Sequence, residues 1–213
     1  MIPESISPPS QRELELLRRV RAGERQLFHE LVRPYERAVF ITAYGILHDH
    51  ADAEEAAQDT MLKALIHLDQ LAAPDKFKSW LLQIAVNEAR LKRRSKHVNL
   101  FEPLDGTQSS SGEPFMPRDF TDWRELPSDI AERKEIKEQI TRALHMLPDM
   151  YREIFILRDV EQLSAADAAA VLRITVPAAK VRLHRARLMM REQLAPTLRR
   201  GWLGRLLSLK GTR

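Results

Sequence analysis

The sequence predicts an all-α fold of two helical domains joined by a flexible linker. Apolar residues recur at helical spacing over residues 10–96 and 130–195, and no stretch alternates with the period of two typical of a strand. Residues 97–129 lose this spacing and contain Gly, Ser and Pro among acidic residues, which favours a flexible acidic linker. We expect residues 1–9 to be disordered and residues 196–213 to form a basic, amphipathic tail.

The first lobe, residues 10–96, contains four predicted helices. Ser10 can cap the first helix, and Gly23 is placed to end it. The other three are indicated by apolar residues at helical spacing over about residues 24–47, 51–68 and 75–96.

The second lobe, residues 130–195, contains the sharpest local motif. Ser164 and Asp167 have the spacing of a capping box for a short helix, and Thr175 can cap a longer helix with Pro177 in its first turn. A short helix, a tight turn and a longer Arg-rich helix are typical of a helix-turn-helix, whose second helix enters the DNA major groove.

The longer helix has two distinct faces. One is predicted to be core and consists of Ala179, Leu183, Ala186 and Met190. The other can offer donors to bases and positive charge to phosphates, and consists of Lys180, Val181, His184, Arg185, Arg187 and Arg191. The alternative is an Arg-rich solvated helix in a small bundle.

The last helix of the first lobe has a similar polar stripe. Gln83, Asn87, Arg90 and Arg94 share one side, where amides can read bases and guanidinium groups can hold phosphates. Complementation of the helix dipole by basic residues is the alternative explanation.

Charge is sorted along the chain into blocks, although 34 Lys and Arg against 30 Asp and Glu leave a formal net charge of only +4. Residues 48–59 contain acids without Lys or Arg, and residues 102–129 are also predominantly acidic. Residues 76–96 and 180–191 are strongly basic. Two basic helical blocks separated by an acidic one indicate two contacts with one polyanion.

Composition argues against catalysis and against a metal centre. The chain has no Cys, no Gly-rich phosphate loop and no HExxH motif, and its seven His residues do not form a ligand cluster. We therefore expect a non-enzymatic protein without catalytic residues, metal or cofactor. Because the sequence shows no leader pattern and no long apolar run, we also expect a cytoplasmic protein without stable membrane insertion.

Residues 49–71, 76–96 and 147–194 together resemble a bacterial RNA polymerase sigma factor of the extracytoplasmic-function (ECF) group. The resemblance extends over about residues 10–96 and 130–195. It implies that the first lobe (region 2) binds the largest subunit of core RNA polymerase and melts the minus-ten promoter element. The second lobe (region 4) would read the minus-35 element and touch the flap of the second-largest subunit. An anti-sigma factor commonly controls such proteins.

The resemblance also assigns residues by position. Core polymerase would be bound by Asp52, Glu55, Gln58 and Asp59, whose acidic face suits a basic protein partner, although a solvated acidic face remains the alternative. Minus-ten DNA would be bound by Lys76, Lys78, Gln83, Asn87, Arg90 and Arg94, beside a loop at residues 71–76 that would capture a flipped base. Minus-35 DNA would be bound by Lys180, Val181, His184, Arg185 and Arg187.

The sequence departs from the family pattern at several positions. Where the family commonly has two bulky residues, this chain has Ala56 and Ala57, and where the family has an aromatic residue it has Met61. It has Pro177 to Ala179 in place of Gly-Thr-Val, and Arg173 in place of the glycine of the turn. The departures leave the predicted fold intact, but the promoter sequence cannot be read from the longer helix of the helix-turn-helix.

Two other functions remain open at this level. One is a helix-turn-helix transcriptional regulator that does not bind core polymerase, and the other is a scaffold or anti-factor partner whose basic helices bind acidic proteins. The apolar residues of the tail, among them Trp202 and Leu206, favour a short helix that docks onto protein.

Overall fold

The computed structural model describes residues 11–99 and 138–208, with side chains described for residues 11–96 and 138–195. Within these ranges the regular elements are helical and no strand occurs, so the predicted fold class is confirmed. The predicted N-terminal segment and nearly all of the predicted linker lie outside the described residues.

Five α-helices form the described part of the first lobe. They are α1 (Gln11–Arg21), α2 (Phe28–Val32), α3 (Glu36–Leu47), α4 (His50–Ile66) and α5 (Phe77–Asn99). The single helix predicted over residues 24–47 is interrupted by two 3-10 turns, Arg25–Leu27 and Arg33–Tyr35. Pro34 accounts for the second interruption, because proline has no N–H to donate within a helix.

Local sequence signals set the ends of these helices. Gly23 follows α1 with φ of 108°, a conformation that glycine adopts without steric cost, and it confirms the predicted end of that helix. Asp49 caps α4, since its carboxylate accepts a hydrogen bond of 2.9 Å from the backbone N–H of Asp52.

Four further α-helices form the described part of the second lobe. They are α6 (residues 138–146), α7 (Asp149–Phe155), α8 (Ala165–Leu172) and α9 (Val176–Ser208), with a π-helical segment, Ile156–Val160, after α7. The Ser164 hydroxyl accepts from Asp167 N–H at 3.0 Å, and the Thr175 hydroxyl accepts from Ala178 N–H at 3.3 Å. Both predicted caps of the helix-turn-helix are therefore confirmed.

Each lobe has its own apolar centre. Phe77, Leu81 and Leu82 of α5 are fully buried in the first lobe. In the second lobe the predicted core face of α9 is confirmed, since Ala179, Leu183, Ala186 and Met190 are all buried. The backbone of α9 continues as one helix of 33 residues through Ser208, so much of the tail extends α9 instead of forming a separate helix.

The two lobes pack directly against each other. Gly45 of α3 faces Ile156 of the π-helical segment, and a Cβ at position 45 would overlap the Ile156 side chain. Ile156 is only 3% exposed, so its side chain lies packed between the lobes. The absence of a side chain at Gly45 provides the space for it and allows the lobes to approach closely.

Arg173 ends α8 in the left-handed conformation, with φ of 56° and ψ of 47°. Residues other than glycine rarely adopt this backbone conformation, because their Cβ atom crowds the following carbonyl oxygen at a cost of about 1 to 2 kcal/mol. We expect Arg173→Gly to raise the free energy of unfolding by about 1 kcal/mol, measured by urea denaturation. Arg173→Ala keeps the backbone strain and serves as the control; equal gains from both variants would exclude strain as the cause.

Candidate polymerase and nucleic-acid interfaces

Helix α4 presents an acidic and apolar face to solvent. Glu55, Asp59, Leu62 and Ile66 share this side of the helix, at spacings of four, three and four residues. Leu62 is 60% exposed and Ile66 is 69% exposed, while the Glu55 side chain is 65% exposed. We call these four residues the α4 face. Exposed apolar side chains beside carboxylates suit a protein partner better than DNA.

The other two residues predicted to bind polymerase differ from one another. Gln58 is exposed next to the α4 face. Asp52 is nearly buried and pairs with two lysines of α5, Lys92 at 3.8 Å and Lys96. The Asp52 carboxylate raises the pKa of Lys96, first through their hydrogen bond. Asp52 therefore joins α4 to α5 within the lobe.

The six residues predicted to bind minus-ten DNA lie on α5 and the turn before it. Gln83 and Asn87 are half-buried and Arg94 is exposed. The other three pair with acids of the second lobe: Lys76 with Asp167 at 3.0 Å, Lys78 with Glu161 at 3.1 Å, and Arg90 with Glu153 at 2.5 Å. The six predicted residues thus lie on one helix and the turn before it, and the second lobe covers three of them.

A small cavity of about 170 Å³ lies between the end of α4 and α5. Its lining includes Gln70, Trp80 and Asn87. Trp80 packs on Phe77 with ring centroids 6.0 Å apart and also lines the cavity. The predicted base-capturing loop begins nearby at Leu71, whose carbonyl accepts a hydrogen bond of 2.5 Å from Arg21.

Four of the five residues predicted to bind minus-35 DNA lie on the outer face of α9. Lys180, Val181, His184 and Arg185 are all exposed on it. Arg187, predicted to contact phosphate, instead makes a two-bond pair with Asp159 of its own lobe at 2.5 and 2.8 Å. This pair must be given up before Arg187 can bind a phosphate.

Sequence reasoning missed a buried arginine at the junction of the lobes. The Arg152 side chain is 5% exposed and donates to the carbonyls of Leu144 at 2.8 Å, His145 at 3.1 Å and Leu147 at the end of α6. It also donates to the Gly45 carbonyl of α3 at 3.2 Å. One cation therefore satisfies carbonyls at the C-terminal ends of two helices, where the helix dipole favours positive charge.

Two histidines surround this guanidinium group. The His48 ring accepts a hydrogen bond from Arg152 and lies 4.7 Å from the His145 ring, centroid to centroid. Partial burial, followed by the charge of Arg152, lowers the pKa of His48 to about 4. The same two causes lower the pKa of His145. At neutral pH both rings are therefore uncharged neighbours of Arg152.

Comparison with known proteins gives two family matches in chain order. The model of Sigma-70 region 2 matches residues 31–97, and the model of Sigma-70 region 4 matches residues 137–190. Together they cover more than half of the chain and define its class, a sigma-70-type transcription initiation factor.

Curated relatives extend these matches over most of the chain. It is 27% identical over 180 residues to the ECF RNA polymerase sigma factor SigW of Bacillus subtilis, with 84% of this chain and 94% of the relative covered. It is 28% identical over 192 residues to the RNA polymerase sigma-H factor of Pseudomonas aeruginosa, with 89% and 97% covered. The chain belongs to the ECF group of bacterial RNA polymerase sigma factors.

Solved structures share the fold. The sigma factor RpoE of Bartonella quintana, in a co-crystal with the anti-sigma factor NepR, matches with a TM-score of 0.59 and 24% identity, covering 79% of this chain and 96% of that one. CnrH, in complex with the cytosolic domain of CnrY, matches with a TM-score of 0.57 and 22% identity, covering 86% and 97%. Among the described residues, no helix is both long enough and apolar enough to cross a membrane.

Proposed function

We propose that this sigma factor binds core RNA polymerase through the α4 face. The observation that carries the proposal is the pairing of two carboxylates, Glu55 and Asp59, with two exposed large apolar side chains, Leu62 and Ile66. The carboxylates can steer and orient a basic partner, and burial of the apolar pair can supply affinity. The partner is the largest subunit of the polymerase, as the resemblance of region 2 implies.

Site-specific crosslinking tests this assignment directly. A photoreactive amino acid at Leu62 should crosslink to the largest subunit when the full chain is mixed with core polymerase. The same group at Ala22, an exposed residue elsewhere on the lobe, is the matched control. Equal crosslinking from both positions, or crosslinking only to other subunits, would remove the α4 face from the polymerase interface.

The proposal continues with two contacts to promoter DNA. The six residues predicted to bind minus-ten DNA, on α5 and the turn before it, form what we call the basic side of α5. This surface holds the opened minus-ten strand, with the cavity beside Trp80 available to an unstacked base. The outer face of α9 enters the major groove at the minus-35 element. Residues 10–96 and 130–195 act as the two functional domains, joined by residues 97–129.

Three substitutions on α9 should separate base reading from phosphate binding. We expect Arg185→Ala and His184→Ala to relax sequence preference, by roughly 1 to 3 kcal/mol at one base pair for a direct contact. Arg187→Ala should weaken binding to all DNA sequences alike and reduce the slope of log affinity against log salt concentration by about 0.9. Binding of the assembled holoenzyme to a randomised minus-35 library measures both effects, and Arg142→Ala, exposed on α6, is the control. Identical library profiles for all three variants would exclude groove reading by α9.

The protein acts without catalytic chemistry of its own in this proposal. Strand opening derives its free energy from binding unpaired bases and phosphates, and the polymerase makes the RNA. Because its partners are core polymerase and promoter DNA, the protein works in the cytoplasm. An anti-sigma factor controls it by covering the polymerase-binding surfaces; the relative RpoE of Bartonella quintana was crystallised with such a factor.

A further inference from the structure

The contact between the lobes uses the same side chains that the proposed function assigns to DNA. Lys76, Lys78 and Arg90 each donate to a carboxylate of the second lobe. A fourth pair, Arg93 with Asp149 at 2.5 Å, lies next to them on α5. A cation in contact with a carboxylate is not available to a phosphate at the same position.

The acids of the second lobe that make these pairs are buried in the closed chain. Glu153, Glu161 and Asp167 are 6%, 8% and 7% exposed. A buried carboxylate is costly unless a cation pairs with it, so these acids require the basic side of α5 for as long as the lobes stay together. These three acids of the second lobe therefore form a surface whose negative charge complements the basic side of α5.

Shape reinforces charge at the other end of the contact. Gly45 leaves room for Ile156, and Arg152 of the second lobe donates to the Gly45 carbonyl of the first lobe. A change of residue at Gly45 can therefore separate the lobes without altering any charge.

We propose that the second lobe competes with promoter DNA for the basic side of α5, so that the closed chain is a self-inhibited state. Glu153, Glu161 and Asp167 form ion pairs with the cations that would otherwise bind minus-ten phosphates. DNA therefore binds only after the lobes separate. The inference rests on the proposed function because it takes Lys76, Lys78 and Arg90 as DNA-binding residues. It predicts that variants opening the chain bind DNA more tightly.

The distance between the lobes provides the first test. Since the natural chain has no cysteine, Ala22→Cys and Ala170→Cys place one label on each lobe at exposed positions. Glu153→Gln with Glu161→Gln, and separately Gly45→Leu, should lengthen the label distance in the full chain. Glu15→Gln with Glu24→Gln removes two exposed acids whose arginine partners are in the same lobe, and should leave the distance unchanged.

A charge exchange distinguishes the ion pair from general loss of structure. Arg90→Glu should open the chain, and adding Glu153→Arg should restore the short distance because the pair re-forms in reverse. Failure of the second change to restore the distance, with helical content intact by circular dichroism, would overturn the role of this pair.

DNA affinity provides the second test. The probe is a short fluorescent single-stranded DNA of random sequence, titrated at fixed salt with each full-length protein. If the closed form predominates by ten to one, Gly45→Leu should bind about tenfold more tightly than the natural chain. Longer label distance without tighter binding would overturn competition, and unchanged distance in both opening variants would overturn the closed state. Neither result touches polymerase docking, which the Leu62 crosslink reports separately.

Discussion

Reversing the two exposed acids of α4, Glu55→Lys with Asp59→Lys, should abolish stable association with core RNA polymerase. Charge reversal at a complementary interface places like charges together, which costs several kcal/mol. Folding should be little affected, because Glu55 is largely exposed and its partner Lys92 also contacts Asp52. Co-elution of the full chain with purified core polymerase measures the loss.

A matched double reversal controls for the change in net charge. Glu15→Lys with Glu30→Lys alters two exposed acids on α1 and α2, away from the α4 face. This variant should co-elute as the natural chain does. If both double variants lose polymerase equally, the effect is one of overall charge, and the assignment to α4 fails.

Replacing Arg152 by methionine should cause the largest loss of stability of any single change considered. Methionine fills much of the same space but donates no hydrogen bond, so the carbonyls of Leu144, His145 and Gly45 lose their partner. A buried carbonyl left without its donor typically costs about 1 to 3 kcal/mol, and several carbonyls lose their donor here. The urea midpoint, compared at an unchanged slope, gives the difference.

Arg142→Met is the appropriate control for that experiment. Arg142 lies on the preceding helix with a largely exposed side chain that pairs, among the described residues, only with Glu138 of the same helix at 3.7 Å, so its loss should change stability by less than about 0.5 kcal/mol. Comparable losses from both variants would show that the Arg152 network adds little beyond a surface arginine.

Local signals explain what could be predicted from the sequence. A hydroxyl or carboxylate three residues before a backbone N–H is enough to start a helix, which is why Ser164 and Thr175 were recognisable as caps. The buried face of α9 followed from the helical period alone. Leu62 and Ile66 were also visible in principle, as large apolar residues off the buried stripe of α4.

Contacts between distant parts of the chain could not be predicted in the same way. Arg90 and Glu153 are 63 residues apart in sequence, and Arg152 lies 107 residues from Gly45. No periodic pattern specifies such a pairing, because it depends on how two complete lobes are oriented. The sequence assigned Lys76, Lys78 and Arg90 to DNA, whereas only the structure shows that acids of the second lobe already hold them.

Transcription in vitro is the most direct test that this protein is a promoter-specific initiation factor. Purified core polymerase would be given fragments of the organism's own genome, with and without this protein, and the 5′ ends of the run-off transcripts would be sequenced. We expect new transcripts that start a fixed distance downstream of shared minus-35 and minus-ten sequences, and that disappear with Glu55→Lys and Asp59→Lys. No transcripts beyond those of core polymerase alone, from a protein that is folded and binds DNA, would contradict a role in promoter-specific initiation.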